Sequence, residues 1–318
     1  MYKIIFRRLL SAFITLFVST IIIFVLIRLS PGDPVELMLG KPGDLPITNT
    51  PEYEEKVNEL RSELGLDQNM FVQYVHWIKR LVTFDLGTSI YSGRPISTEI
   101  AEKLPATIML SIIALIIQLI LGLLFGVISA IKAGKWEDNV IRILSVIFAS
   151  IPAFVLGLTL LYIFSVKYHF YEISSEASLS RLWLPAITLG IISAPPLIRM
   201  IRANMLSEFG QIYIVSALSR GLTRKHVISH ALRNALMPIV TMIALTFASL
   251  ISGSIIIESV FSYPGIGNYA MNSVIRHDYP VIQGYAVIMV LIVIIINVLV
   301  DVIYALLNPQ VLHKGGIK

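Results

Sequence analysis

Apolar positions in this chain gather into long blocks rather than into the short alternating runs of a water-soluble core. A membrane-spanning helix needs about 20 mostly apolar residues. Five stretches meet that length: 9–27, 106–131, 140–166, 235–257 and 281–306. A sixth, 184–204, is more polar: it opens on Leu184-Pro185-Ala186, is interrupted by Pro195-Pro196, and meets Arg199 and Arg202 near its end. Proline is tolerated in a first helical turn, where its missing N–H would lack a partner anyway. The interior pair is expected to kink the helix unless neighbours satisfy the freed carbonyls. The alternative for this stretch is a re-entrant segment. Leu104-Pro105-Ala106-Thr107 echoes Leu184-Pro185-Ala186-Ile187, and both are read as helix starts.

Basic residues orient the blocks. Lys3, Arg7 and Arg8 precede the first span, and Lys132 and Lys135 follow the second. Arg199 and Arg202 stand at the end of 184–204, Arg220, Arg224, Lys225 and Arg233 lie between it and 235–257, and Lys314 and Lys318 close the chain. The opposite short connections hold only Lys167, Arg181 and Arg276. Lys/Arg excess marks cytosolic loops, so both termini are expected in the cytosol and the span count is expected to be even. Six fits. The first block, Leu9–Ile27, is nineteen residues long, beyond a signal peptide's roughly 7–15-residue apolar core, and is read as a retained span. Arg28 after it is placed to snorkel to the interface.

Three polar pieces remain. The largest, between Leu29 and Lys103, carries most of the acids. Within it Val57, Leu60 and Leu64 share one helical face, as do Phe71, Tyr74, Val75 and Ile78, so two short surface helices are expected. The second is the cytosolic stretch 207–234. The third is the outer loop 261–280, which contains Phe261-Ser262-Tyr263-Pro264-Gly265-Ile266-Gly267, a proline–glycine turn flanked by aromatics.

Composition agrees with lipid as solvent. The 318 residues are 56% hydrophobic and 14% charged, where a soluble domain carries about 25% charged residues. The net charge of +5 sits beside the spans rather than along one stripe, so no nucleic-acid partner is expected. There is no cysteine, hence no disulfide, thiolate metal site or cysteine nucleophile.

The chemistry of an energy source is missing. Gly40-Lys41 and Gly134-Lys135 lack the spacing and the Ser/Thr of a phosphate-binding P-loop. No H-E-x-x-H or G-x-S-x-G occurs. His226 and His230 have i, i+4 spacing, but Arg224, Lys225 and Arg233 surround them and would repel a cation. No catalytic, cofactor or metal residue is assigned. The spans also lack the carboxylates of an ion-coupled carrier. Gln118 and Asn297 are their notable polar groups, read as hydrogen-bonding between helices, with Glu258 and Asp301 near span ends. Energy must therefore come from a partner.

Residues 211–234 offer a place for it to enter. A short helix from Gln211 is expected to end at Gly221 in the left-handed conformation that glycine adopts most easily. Thr223 can then cap a second helix running through Arg233 into the fifth span. The pair would form a rigid knob between two spans.

This stretch resembles the coupling loop of permease subunits in binding-protein-dependent ABC importers, whose E-A-A-x-x-x-G is matched by Val215-Ser216-Ala217-x-x-x-Gly221, then Met237-Pro238. The family's glutamate and first alanine are replaced here. The rest of the chain resembles the B-type permease of the dipeptide/oligopeptide/nickel branch. The stretches are Arg7-Arg8-Leu9, Leu29-Ser30-Pro31-Gly32-Asp33-Pro34, Leu64-Gly65-Leu66-Asp67, Asp85-Leu86-Gly87-Thr88-Ser89 and Leu104-Pro105-Ala106-Thr107. They continue through His230-Ala231-Leu232-Arg233-Asn234-Ala235, Phe261-x-x-Pro264-Gly265-Ile266-Gly267, Asp278-Tyr279-Pro280-Val281-Ile282-Gln283-Gly284 and Leu307-Asn308-Pro309. Residues 168–180 depart from the branch pattern.

The resemblance implies an all-α polytopic membrane protein with the type I importer permease fold, in the bacterial cytoplasmic membrane. Its parts would be a cytosolic N-terminus and first span (1–28), an extracytoplasmic loop (29–103), a five-span core with the coupling loop (104–308) and a cytosolic tail (309–318). It implies a homologous C-type permease, two cytosolic ATP-binding subunits and an extracytoplasmic substrate-binding protein as partners. Ala217, Ser219, Arg220, Gly221 and Leu222 would form the ATPase contact. The implied cargo is di- or oligopeptides, with nickel, a nickel chelate or a metallophore as the alternative. A stand-alone channel or carrier is the rival from another class.

Overall fold

The structure is a computed structural model that describes residues 2–29, 35, 51–63, 67–173, 178–235 and 237–307. It is helical throughout, and among the described residues the only sheet-like pairing is an isolated bridge between Thr88 and Pro95. The helices are α1 (Tyr2–Leu29), α2 (Pro51–Glu63), α3 (Met70–Val82), α4 (Ile96–Ile131), α5 (Trp136–Ser150) and α6 (Ala153–Leu161). They continue as α7 (Leu179–Phe209), α8 (Ile212–Ser219), α9 (Arg224–Ala235), α10 (Met237–Val260), α11 (Ile266–Ile275) and α12 (Tyr279–Leu307). The chain divides into two compact units, Met1–Leu104 with Tyr269–Ile294 and Pro105–Asn268 with Ile295–Lys318.

Among the described residues, α1, α4, α7 and α12 are long and apolar enough to cross a membrane. The block 140–166, read from sequence as one span, is two helices bent by 97°. Ile151 precedes Pro152, and the proline ring disfavours helical backbone in the residue before it. Ile151 is accordingly extended, with φ −76° and ψ 125°. The helix resumes at Ala153 and ends in a π-helical turn over Tyr162–Lys167.

In the second unit α7 is the central element, packed on α5, α6, α9 and α10. Its apolar window is 61% buried, against 11% for α1. The polar character that sets 184–204 apart thus belongs to a helix packed within the protein, where α1 is left largely exposed. The close approach of α4 to α7 rests on missing side chains. A Cβ on Gly122 would lie 2.5 Å from Leu197, one on Gly126 2.8 Å from Ile201, and one on Gly190 2.7 Å from Ile117. Small residues let helix backbones meet where lipid offers no hydrophobic drive for association.

The prolines sit deeper than the sequence suggests. Pro105 and Pro185 do not start helices; they lie inside α4 and α7, which begin at Ile96 and Leu179. An interior proline leaves the carbonyl four residues back without its helical donor. For Pro185 that carbonyl belongs to Arg181, and the Tyr171 hydroxyl donates to it at 3.0 Å. Pro195 and Pro196 also lie inside α7, which remains one helix across them. The polar span residues depart from expectation too: Gln118 is buried with its side-chain oxygen unpaired, and Asn297 is exposed.

In the first unit the two surface helices expected near 57–64 and 71–78 are α2 and α3. Leu60 and Leu64 have side chains outside the described set. Arg28 lies over the Phe24 ring at 5.4 Å. Distant segments meet here: Ser89 Oγ donates to Asp278 at 2.6 Å, and the Ile90 amide donates to the same carboxylate at 3.2 Å. A Cβ on Gly284 would press on Ile96 at 3.0 Å. Asp85 accepts from Arg80 and from the Gly87 amide, which together hold its carboxyl below the usual carboxylate range.

Candidate functional site

The hairpin 207–235 forms as the sequence leads one to expect, and its end is built by backbone geometry. Gly221 has φ +81°, the left-handed region in which a Cβ is strained. Around it the Leu222 amide donates to Ala217 O at 3.2 Å, and the Gly221 amide donates to Leu218 O at 2.9 Å. These two bonds are the Schellman closure, which satisfies the last carbonyls of a helix. Thr223 starts α9 with its carbonyl, which accepts from the amides of His226 and Val227. Its hydroxyl pairs instead with His226 Nδ1 at 2.8 Å, so the expected side-chain cap is taken by an imidazole. Both His226 and His230 are exposed.

The inner faces of α8 and α9 meet in a small core of Ile214, Val227 and Ala231, joined by Phe209 and Leu222. The base is tied by polar bonds. Tyr213 donates to Glu208 at 2.5 Å, and Asn234 Nδ2 donates to the Tyr213 hydroxyl at 2.9 Å. Burial, reinforced by the Glu208 carboxylate, raises the Tyr213 phenol above its ordinary value.

Of the five residues singled out in the sequence, Ser219, Arg220 and Gly221 are exposed at the tip. Ala217 is buried in the hairpin and Leu222 is half-buried against its core, so these two hold the shape rather than face outward. The outward stripe of α8 is Ile212, Val215 and Ser219, at i, i+3 and i+7, with Ile212 83% exposed. The sequence reading missed Ile212 and Val215. Their signal was available: Ile214 and Ala217 claim the opposite side of an eight-residue helix, which leaves these apolar residues unpartnered.

Two buried carboxylates were also missed. Asp138 is fully buried at the start of α5 and takes both Nε and Nη2 of Arg202 on α7 at 2.8 Å. It also accepts from Ser129 Oγ and from the Gly134 amide, at 2.5 and 3.0 Å. Arg202, which the sequence reading counted with the loop charges, is therefore spent on an internal pair seven residues before α7 ends. Glu258 on α10 is fully buried as well. Its Oε1 accepts from Thr107 Oγ1 and Ser254 Oγ at 2.7 and 2.9 Å, and its Oε2 from the Asn268 amide at 3.0 Å. Thr107 Oγ1 in turn accepts from the Ile266 amide at 2.9 Å. Groups of three or more metal-ligating side chains do not occur among the described residues.

Similarity to known proteins covers the whole length. Residues 122–313 match the family described as binding-protein-dependent transport system inner membrane component, and residues 1–111 match its N-terminal counterpart. The chain belongs to this family, as an ABC importer permease of the peptide/nickel group. Glutathione transport system permease protein GsiC from Escherichia coli strains CFT073 and K12 is 36% identical over 316 residues, 99% of this chain and 100% of the relative. GsiC of Salmonella choleraesuis matches to the same extent. The inward-facing MetNI methionine ABC transporter shares the fold, with TM-score 0.55, 19% identity, 65% of this chain and 94% of that chain covered. An amino acid ABC transporter with histidines gives 0.51, 17%, 67% and 94%. The permease is thus a multi-pass inner-membrane component of an importer, a class that works with an ATPase, a binding protein and a further permease.

Proposed function

We propose that this permease forms half of the translocation pathway for di- or oligopeptides and has no catalytic activity of its own. The observation that carries the cargo is the 36% identity over 99% of the chain to permeases named for glutathione, which is a tripeptide. A homologous C-type permease would supply the other half. Two cytosolic ATP-binding subunits and an extracytoplasmic binding protein would complete the assembly. The pathway core would be 104–308, preceded by the first span (1–28) and the extracytoplasmic loop (29–103) and followed by the cytosolic tail (309–318). We count six spans: α1, α4, the bent pair α5–α6, α7, α10 and α12, with both termini cytosolic as the Lys/Arg distribution favours. Identifying by mass spectrometry the ligand that co-purifies with the cognate binding protein tests the cargo. A short peptide is expected; nickel or a metal chelate would overturn it.

The hairpin is the coupling element in this reading. Ser219, Arg220 and Gly221 at the tip, with Ile212 and Val215 on the open stripe, would enter a cleft of the ATPase. Ala217 and Leu222 would keep the knob stiff. Two residues separate α7 from α8 and one separates α9 from α10 in the sequence, so a push on the knob would reach two spans directly. In the assembled transporter, Gly221→Val should lower uptake several-fold while the subunits still co-purify. Unchanged uptake and assembly would count against the assignment.

A further inference from the structure

Helix α3 lies in the polar segment that the sequence assigns to a water-facing loop, yet its surroundings are those of a membrane span. Tyr74 Oη and Thr20 Oγ1 are 2.9 Å apart, and the Phe24 ring meets Tyr74 at 5.4 Å and Trp77 at 5.9 Å. Phe24 and Thr20 are five and nine residues before Leu29, the end of α1. At a rise of 1.5 Å per residue they sit about 8 and 14 Å inside that end. Ile22, Val25 and Leu26 of α1, at the same level, are exposed, as befits a helix whose solvent is lipid.

Around α3 the side chains sort into three sectors. Tyr74 and Trp77 face α1. His76, Lys79 and Arg80 are exposed on the polar side, with Arg80 held by Asp85 at 2.8 Å. Phe71, Val75, Ile78 and Val82 recur at i, i+4, i+7 and i+11, one apolar stripe. Its two ends, Phe71 and Val82, are 72% and 74% exposed. Just beyond the helix Phe84 adopts φ +58°, a conformation that is strained for a bulky residue, and its ring is 75% exposed. Among the described residues no aromatic or cation contact is made by that ring.

We propose that α3 is an interfacial helix, lying in the headgroup–acyl boundary of the leaflet at the Leu29 end of α1, with phospholipid as the occupant of the Phe71–Val82 stripe. Seating against an apolar span sets the depth. The stripe and Phe84 dip among the first acyl carbons, and His76 and Lys79 face the phosphates and water. An amphipathic helix of this kind binds by burying its apolar face about 5–10 Å into the boundary. The helix would anchor the base of the 29–103 segment and fix the tilt of α1. The inference does not depend on cargo or on coupling.

The chain has no cysteine, so a single introduced cysteine is unique within it, and the unsubstituted complex, labelled in parallel, gives the background from any other subunit. Phe71→Cys, Val82→Cys, His76→Cys, Lys79→Cys and the lipid reference Leu26→Cys would each carry a nitroxide. The full-length chain, in the complex in which it purifies, would be reconstituted in phosphatidylethanolamine–phosphatidylglycerol bilayers. Collision rates with oxygen, which partitions into lipid, and with a water-soluble nickel chelate give the environment. Positions 71 and 82 should match Leu26 in favouring oxygen, with a ratio at least several-fold above that at 76 and 79. Nickel access at 71 and 82 equal to that at 76 and 79 would overturn the proposal. So would low access to both reagents, which would mark a protein partner. A nickel-accessible Leu26 would instead indict the placement of α1.

Discussion

The carboxylate of Glu258 occupies the space that any side chain on Gly265 would need: a Cβ there would lie 2.3 Å from Glu258 Cδ. Gly265 lies outside the left-handed region, so the requirement is steric alone. Gly267 is confined in the same way, with its would-be Cβ 2.8 Å from Glu258 Oε2 and 2.7 Å from Ile255 Cα. The Pro264-Gly265-Ile266-Gly267 turn is therefore the lid of a buried carboxylate, and Ile266 and Asn268 give it their amides through Thr107 and directly.

Gly265→Ala is expected to destabilise the turn by about 1–3 kcal/mol, the cost of overpacking a filled site. Glu258→Ala alone should also destabilise, because it removes the carboxylate to which Thr107, Ser254 and the Asn268 amide all donate. The double variant should cost less than the sum, since the first change makes room for the second. Thermal unfolding of the four proteins in detergent would measure that coupling; strict additivity would separate the two residues.

Asp138 and Arg202 join α5 to α7 in a buried bidentate pair. Arg202→Met leaves the buried Asp138 carboxylate with only Ser129 Oγ and the Gly134 amide; with Arg202 itself 25% exposed, the expected cost is about 1–3 kcal/mol. Adding Asp138→Asn to that variant should restore part of the loss. The readout is the same unfolding midpoint, together with the yield of assembled complex.

Tyr171→Phe should cost about 1 kcal/mol, because the part-buried Arg181 carbonyl freed by Pro185 then loses its donor. The same tyrosine predicts a pH signature. Burial pushes its phenol up to about 12, with Tyr263 adding to the rise and Arg181 opposing it. A free tyrosine ionises near 10. The folded state holds this proton more tightly than the unfolded chain, so its contribution is full below about pH 10 and fades as pH climbs toward 12. Absorbance at 295 nm, wild type minus Tyr171→Phe, should show the difference titration at the higher value.

At the hairpin, a Cβ on Gly221 would meet nothing within 4 Å, so replacement there is opposed by backbone conformation alone. Gly221→Asn should be tolerated, since asparagine enters the left-handed region readily, and Gly221→Val should cost about 1–2 kcal/mol or more. Ile212→Ser with Val215→Ser should leave the permease folded, because both side chains already face outward. On the coupling reading, that pair should weaken co-purification of the ATPase subunits by several-fold.

Much of this protein is legible without coordinates. Block length and Lys/Arg placement speak for spans, because lipid tolerates only apolar, internally bonded helices. Gly221 announces the end of α8, because few residue types take that conformation cheaply and glycine takes it most easily. The periodicity of 71–78 announces α3. Recognisable motifs gave the family but not their own physical reason.

That reason is tertiary. Ser89 and Asp278, or Thr107 and Glu258, stand far apart in the chain, and only packing shows that each motif is half of one hydrogen-bonded cluster. Glu258 looked like a charge near a span end, and Asp138 went unremarked, because burial is not a local property. Pro185 looked like a helix start because nothing nearby in sequence reveals that Tyr171 would satisfy the Arg181 carbonyl. The inward turn of Ala217 and Leu222 follows the same rule. Local pattern determined which segments are helices and which of them prefer lipid; long-range packing alone decided which polar groups are buried, and with whom.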